Sequence, residues 1–302
     1  MIMNILQRRR LKFSAYSTVG LVRSNNEDNL YCNGIYMNTA NSFVRSSHSD
    51  EVFTHNSKSS EYTSYSSGRS NNSNGILKPE DFSLDDISET PCIFAVCDGM
   101  GGEARGELAS LIAVKTLHEH STEIKSGKID EAVQAFISDA NERLCKIMNE
   151  AKFRTGTTLA LVVIAKDLVH AYNIGDSRIY KLQDGKFSCI SEDHTVAAQK
   201  IKLGLLTPEQ ALNDKSRHVL TRCLGVFDEE MILTPYASPE FRANKNCRIL
   251  LCSDGLTGML PDEEIRNIML TCKNCSSAVH KLVENALQNG GRDNITCIII
   301  DC

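Results

Sequence analysis

The 302-residue sequence contains no run near the ~20 consecutive apolar residues that a membrane-spanning helix requires. Its opening, MIMNIL, is shorter than a signal-peptide core, and Arg8, Arg9 and Arg10 follow it instead of preceding it. Lys and Arg are otherwise dispersed and the formal net charge is −5, which argues against an extended nucleic-acid footprint. No internal repeat is visible. No second CxxC accompanies Cys272 and Cys275, so a zinc site lacks half its ligands and the pair reads as a loop or the start of a helix. The expectation from these absences is a cytoplasmic globular protein without membrane or nucleic-acid partners. What is present is a hydrophobic content of 41%, enough for one large domain or two small ones. The 12 cysteines are scattered among Val, Leu and Ile, as at Cys97, Cys252 and Cys297, and are expected to be reduced, buried thiols.

Residues 11–19 and 29–36 read as strands, after a tail at 1–10. More than half of residues 38–75 are Ser, Asn or Thr, with no Leu or Ile, so this stretch cannot bury enough surface to offset the entropy of ordering it. A flexible insertion is expected over about 38–88. Apolar residues then recur at helical spacing over 106–120 and 130–151. Between 157 and 190 short strands succeed one another as a meander, with Asp184-Gly185 as a hairpin turn. A helix is expected near 195–203, and Thr207-Pro208-Glu209-Gln210 carries a cap, a first-turn proline and a capping-box partner. CRILLC (247–252) and ITCIII (295–300) are buried strands, and 276–291 is a helix stopped by glycine. Strands in runs with helices in separate pairs point to antiparallel sheets with helices packed outside them.

Four apolar strands end on, or begin beside, a carboxylate: Asp98 after FAVC, Asp176 after AYNIG, Asp254 after ILLCS, and Asp293 just before ITCIII. Any one alone reads equally well as a turn former or helix cap. Together they repel one another unless divalent cations neutralise them, and all-oxygen ligation favours Mg²⁺ or Mn²⁺ over zinc. Gly99 leaves a bare backbone whose carbonyl can approach an ion. Arg23, followed by Glu27 and Asp28, offers a guanidinium matched to phosphate; the two acids fit holding metal-bound waters or orienting that arginine, and the segment also fits a polar loop with a surface ion pair. The set suggests two-metal hydrolysis of a phosphate ester, with no cysteine nucleophile required.

The ordered motifs Arg23-xx-Asn26-Glu27-Asp28, Asp98-Gly-Met-Gly-Gly102, Gly156-Thr-Thr158, Gly175-Asp-Ser-Arg178, Ser253-Asp-Gly-Leu256 and Gly291-Arg-Asp-Asn294 resemble the metal-dependent protein Ser/Thr phosphatases of the 2C type, the PPM family, in its bacterial branch. The resemblance spans 11–302 apart from the insertion, as one catalytic domain. It implies an α+β fold, a sandwich of two antiparallel β-sheets with helix pairs on both outer faces. It implies that Asp98 bridges two metals, that Asp254 and Asp293 complete the first site, and that the Gly99 carbonyl reaches the second. Asp176 would serve a third metal shared with Asp254, Arg23 would bind the substrate phosphate, and Glu27, Asp28 and Asn294 would stand behind the ligands. The implied activity is hydrolysis of phosphoserine and phosphothreonine in proteins through a water bridging two Mn²⁺ or Mg²⁺ ions, with a possible third ion. The implied partners are phosphorylated protein substrates, targets of a Ser/Thr kinase, with the kinase itself among the candidates; a monomer is expected.

Two departures stand out. Eukaryotic members often carry His after Asp-Gly, where Met100 cannot donate a proton. His194, in Glu192-Asp193-His194-Thr195, is a candidate proton donor in its place but reads more readily as a surface histidine, and the segment from about Glu192 to Leu224, which also fits an ordinary helical connection, corresponds by the resemblance to the family's flap. The insertion at 38–88 is the second departure; its Ser and Thr residues fit phosphorylation sites or a docking tether as well as an inert loop. The alternative to an enzyme is a catalytically inactive phosphatase-like binding module, which metal content would separate. A nucleotide phosphate loop at GMGG fails, because Glu103-Ala104-Arg105 follows Gly102 where Lys and Ser/Thr are needed.

Overall fold

Strands that are apolar at successive positions need cover on both faces, and the layers of the computed structural model follow from that need. It describes residues 11–39, 42–45, 80–83, 91–101, 105–227 and 233–302. The tail at 1–10, most of the 38–88 span and Gly102 lie outside the described residues. The chain begins with β1 (Lys12–Thr18), β2 (Asp28–Cys32), β3 (Ile35–Thr39), β4 (Ser42–Arg45), β5 (Glu80–Ser83) and β6 (Cys92–Gly101). The helices α1 (Gly106–Glu119), α2 (Ser121–Lys125) and α3 (Ile129–Ala151) follow, then β7 (Thr155–Thr157), β8 (Leu159–Ala165), β9 (Leu168–Ile174), β10 (Arg178–Gln183) and β11 (Lys186–Cys189). Next come α4 (Val196–Lys202), α5 (Pro208–Ala211), β12 (Tyr236–Ala237), β13 (Phe241–Arg242) and β14 (Cys247–Cys252). The chain closes with α6 (Asp254–Thr257), α7 (Asp262–Thr271), α8 (Cys275–Gln288) and β15 (Ile295–Asp301).

One sheet runs β11-β10-β14-β15-β1-β5 and the other β12-β9-β8-β6-β2-β3-β4, with β13 on β9 and β7 on β6. Alternation sorts each strand between two layers. Phe94 and Val96 of β6, Ile249 and Leu251 of β14, and Ile298 and Ile300 of β15 meet between the sheets, where Phe13 and Phe94 pack edge-on at 5.1 Å. The opposite residues Ile93, Ala95 and Cys97 pack under α1 and α3, against Val114, Phe136 and Leu144. Leu250, Cys252, Cys297 and Ile299 pack under α7 and α8. Each fully buried Phe, Leu or Ile contributes about 1.5–3 kcal/mol, so these three layers hold the strand ends in place. The sandwich with helix pairs on both outer faces is therefore the fold, as the sequence implies.

Three local readings change. The stretch 29–36 is not one strand but the hairpin β2–β3, turned by Asn33 and Gly34 at φ 47° and 104°. Asn-Gly supplies the two positive φ values that such a turn needs. Inside the span expected to be insertion, β4 pairs with β3 and β5 with β1. The helix α7 also forms, between Pro261 and Cys272, its first turn carrying Asp262, Glu263 and Glu264. The box at Thr207 forms as expected, with Thr207 Oγ1 accepting from the Gln210 N–H and Gln210 Oε1 from the Thr207 N–H. Cys272 and Cys275 bracket Asn274, the N-cap of α8. Among the described residues, no helix is long and apolar enough to cross a membrane.

Candidate active site

Where the inter-sheet core ends, the same alternation continues in polar residues. Ser17, Asp28, Asp98, Thr158, Ser253 and Thr296 occupy the inward position just beyond the last apolar inward residue of their strands. They form a bonded layer. Ser17 Oγ lies 2.7 Å from Thr296 Oγ1, Ser253 Oγ donates to Asp28 Oδ2 at 2.8 Å, and Thr296 N donates to Ser253 Oγ at 3.0 Å. Thr158 Oγ1 accepts from Asp98 N at 2.9 Å, and Asp98 O accepts from Thr158 N and Thr157 Oγ1. The backbone of Asp98 is thus clamped and its carboxylate faces the mouth of the sandwich.

Asp28 and Asp98 stand directly opposite each other on β2 and β6. Directly opposed like charges destabilise a strand pair. Asp254 opens α6, Asp176 follows the Gly175 turn after β9, and Asp293 precedes β15, so three more carboxylates reach the same edge. Burial, then Asp28, Asp254, Asp176 and Asp293, holds the Asp98 carboxyl well above the usual range. Burial likewise pushes Asp28 up to about 7, with hydrogen bonds from Thr296 and Ser253 opposing and Asp254 and Asp293 reinforcing it. Asp176 reaches about 7 through burial, Asp254 and Asp193.

Gly99 and Gly106 let the backbones close. A Cβ at Gly99 would sit 2.0 Å from Gly106 O and 2.5 Å from Glu27 O, and Gly99 N donates to Glu27 O at 3.2 Å. Glu27 Oε1 accepts from Gly106 N at 3.2 Å, so this acid caps α1, whose preceding residue Arg105 supplies no side-chain cap. Asn294 is a clamp: its Oδ1 accepts from Glu27 N at 2.8 Å and its Nδ2 donates to Val19 O and Asn25 O. Arg23 Nη2 donates to Asp293 Oδ2 at 2.7 Å, both side chains partly exposed. Burial works against the Arg23 charge, but Asp293, Glu27 and Asp98 outweigh it and hold its pKa up.

The structure thus brings Arg23, Glu27, Asp28, Asp98, Gly99, Asp176, Asp254, Asp293 and Asn294 to one edge. His194 is not a surface residue. It is 3% exposed, its Nδ1 accepts from Gly175 N at 3.1 Å, and burial with the nearby Arg222 pushes it down to about 4. A neutral, hydrogen-bonded ring there fixes the Gly175 turn that presents Asp176. Sequence reasoning missed His218, whose Nδ1 lies 3.1 Å from Asp254 Oδ2. No local pattern marks it, because the contact spans 36 residues.

The edge fits divalent cations. Among the described residues, Asp28 Oδ1 is buried without a hydrogen-bond partner. Ligand atoms of Asp176, His218 and Asp254 all lie within 4.8 Å of one another, and a mainly oxygen donor set suits Mg²⁺ or Mn²⁺.

Residues 67–294 match the family model described as Protein phosphatase 2C. The chain belongs to the protein phosphatase 2C family. This 2C-type chain is 30% identical over 219 residues to the serine/threonine phosphatase stp of Listeria welshimeri, covering 69% of itself and 84% of that relative. It superposes on the crystal structure of the Mycobacterium tuberculosis serine/threonine phosphatase PstP/Ppp with a TM-score of 0.71 at 26% identity, over 97% of this chain and 99% of that one. The catalytic domain of PstP in complex with 2 manganese ions matches with a TM-score of 0.69 at 26% identity, over 97% and 99% of the two chains.

Proposed function

We propose that the chain is a metal-dependent protein serine/threonine phosphatase that hydrolyses phosphoserine and phosphothreonine esters in proteins. The observation that carries this reading is the convergence of Asp28, Asp98, Asp176, Asp254 and Asp293, whose mutual repulsion divalent cations relieve. The relative PstP binds 2 manganese ions, which supports Mn²⁺ or Mg²⁺ as cofactor here. When bound, such ions activate water and neutralise phosphate charge.

The chain's own residues then divide the work. Asp98 would hold two ions, with Asp254 and Asp293 on the first and the Gly99 carbonyl on the second. Asp176 and Asp254 would hold a third. Arg23 keeps donors beyond its bond to Asp293, and a guanidinium grips phosphate oxygens bidentately. A covalent cysteine step is disfavoured: Cys97, next to Asp98, points into the helix-covered layer, and burial pushes its thiol pKa up. Phosphoproteins that are targets of Ser/Thr kinases are the substrates in this proposal, with the kinase itself among them; a monomeric state, a cytoplasmic location and a single domain interrupted near 38–88 belong to it too.

All four ligand positions Asp98, Asp176, Asp254 and Asp293 hold aspartate, so no observation favours an inactive binding module. Steady-state hydrolysis of a phosphothreonine peptide with Mn²⁺ tests the reading. Arg23→Ala should raise KM about 10- to 100-fold, the worth of a charge-assisted hydrogen bond, with a smaller effect on kcat. An unchanged KM contradicts the role given to Arg23.

A further inference from the structure

We propose that His218 supplies a nitrogen ligand to the cation site of Asp176 and Asp254, so that its side chain ties the 192–224 segment to that ion. The inference rests on the reading that these aspartates hold cations, and deepens it.

The imidazole comes from outside the sandwich. A backbone bridge from Thr195 to Leu220 joins the two ends of its segment, and another ties Leu224 to Thr157 of β7. Val196 N donates to Val219 O at 2.9 Å and Thr221 N to His194 O at 2.8 Å. The backbone beside His218 is therefore fixed, while its side chain is 52% exposed and reaches Asp254 Oδ2 at 3.1 Å. Ligand atoms around one octahedral ion with bonds of about 2.1 Å stand about 3 Å apart when adjacent and about 4.2 Å when opposite. The His218–Asp254 pair, at 3.1 Å, already stands at the adjacent spacing, and with all three ligand atoms within 4.8 Å of one another Asp176 must draw in by up to about half an ångström as an opposite ligand or about 1.8 Å as an adjacent one. Side-chain rotation supplies it.

The tautomer must change for this to happen. His218 Nε2 accepts from Arg217 Nε at 2.7 Å, so a neutral ring here carries its proton on Nδ1, toward Asp254. A cation on Nδ1 moves that proton to Nε2 with no net release, and Arg217, which is exposed, turns aside. A nitrogen in the set also shifts preference: carboxylates and water suit Mg²⁺, whereas imidazole favours transition-metal ions. The consequence is a segment whose imidazole engages the site according to which ion is present.

The test uses the full chain loaded with Mn²⁺, wild type against His218→Ala, read by electron spin-echo modulation from imidazole nitrogen and by Mn²⁺ titration. The wild type should show an imidazole-nitrogen coupling that the variant lacks. The weakest Mn²⁺ equivalent should loosen more than about tenfold, since losing even an outer partner costs 10- to 100-fold, while Mg²⁺ affinity changes less. An unshifted melting temperature confirms that the variant folds. Absent coupling in the wild type, or coupling or affinity unchanged in His218→Ala, overturns the proposal. A chain that binds two Mn²⁺ tightly without nitrogen coupling overturns His218 alone; one that binds no Mn²⁺ overturns the phosphatase reading with it.

Discussion

Asp98 works at a position that costs the fold. It faces Asp28 across paired strands and feels Asp254, Asp176 and Asp293 at short range. Without cations such a charge destabilises the native state, and asparagine of the same shape removes the repulsion. Asp98→Asn should therefore lower turnover at least about 100-fold, several kcal/mol of lost metal assistance, while the metal-free variant melts at or above the metal-free wild type. Thermal unfolding beside kinetics checks this; a lower melting temperature contradicts it. His194 behaves oppositely: held at about 4 by burial and Arg222, it stays neutral at physiological pH and its contribution is structural.

At the scale of elements, the site depends on how closely β6 meets α1. Gly99 and Gly106 pack backbone to backbone, with Glu27 between them as the helix cap. A methyl group at Gly99 meets Gly106 O at 2.0 Å, so Gly99→Ala should cost about 3 kcal/mol or more. Ser253→Ala leaves the 2%-exposed Asp28 without its 2.8 Å donor and should cost about 1–3 kcal/mol. Denaturant melts of both variants measure these costs, and a Gly99→Ala protein as stable as wild type contradicts the packing account. Much of this scale was legible. The Asp-Gly pair after an apolar strand, the Thr207 box and the long helices leave signals within a few residues of one another. Glu27 capping a helix 79 residues away, the Asn294 clamp and His218 leave none, because their meaning lies in contacts between distant segments. The Asn33-Gly34 turn was legible too, but apolar residues on both sides disguised two strands as one.

For the whole molecule, the two-sided burial of the strands made the sandwich readable, and the polar layer at its mouth sets its response to pH. Asp28 and Asp176 sit at about 7 in the folded chain, against about 3.9 for an unfolded aspartate. Between those values the native state binds more protons than the unfolded state, so stability falls as pH rises through about 4 to about 7. The metal-free protein should melt higher at pH 5 than at pH 8, by at least the 2–4 °C or so that 1 kcal/mol is worth at this size, and added Mn²⁺ should narrow or reverse the difference. A metal-free protein more stable at pH 8 contradicts it. The central claim is that the carboxylate edge is a divalent-metal phosphatase centre. Its most direct test is hydrolysis of a phosphothreonine peptide by the protein stripped of metal and then given Mn²⁺ or Mg²⁺, beside Asp254→Asn. The account predicts activity that vanishes on stripping, returns with metal, and stays at least about 100-fold lower in the variant; activity that survives stripping, or an Asp254→Asn protein within twofold of wild type, contradicts it.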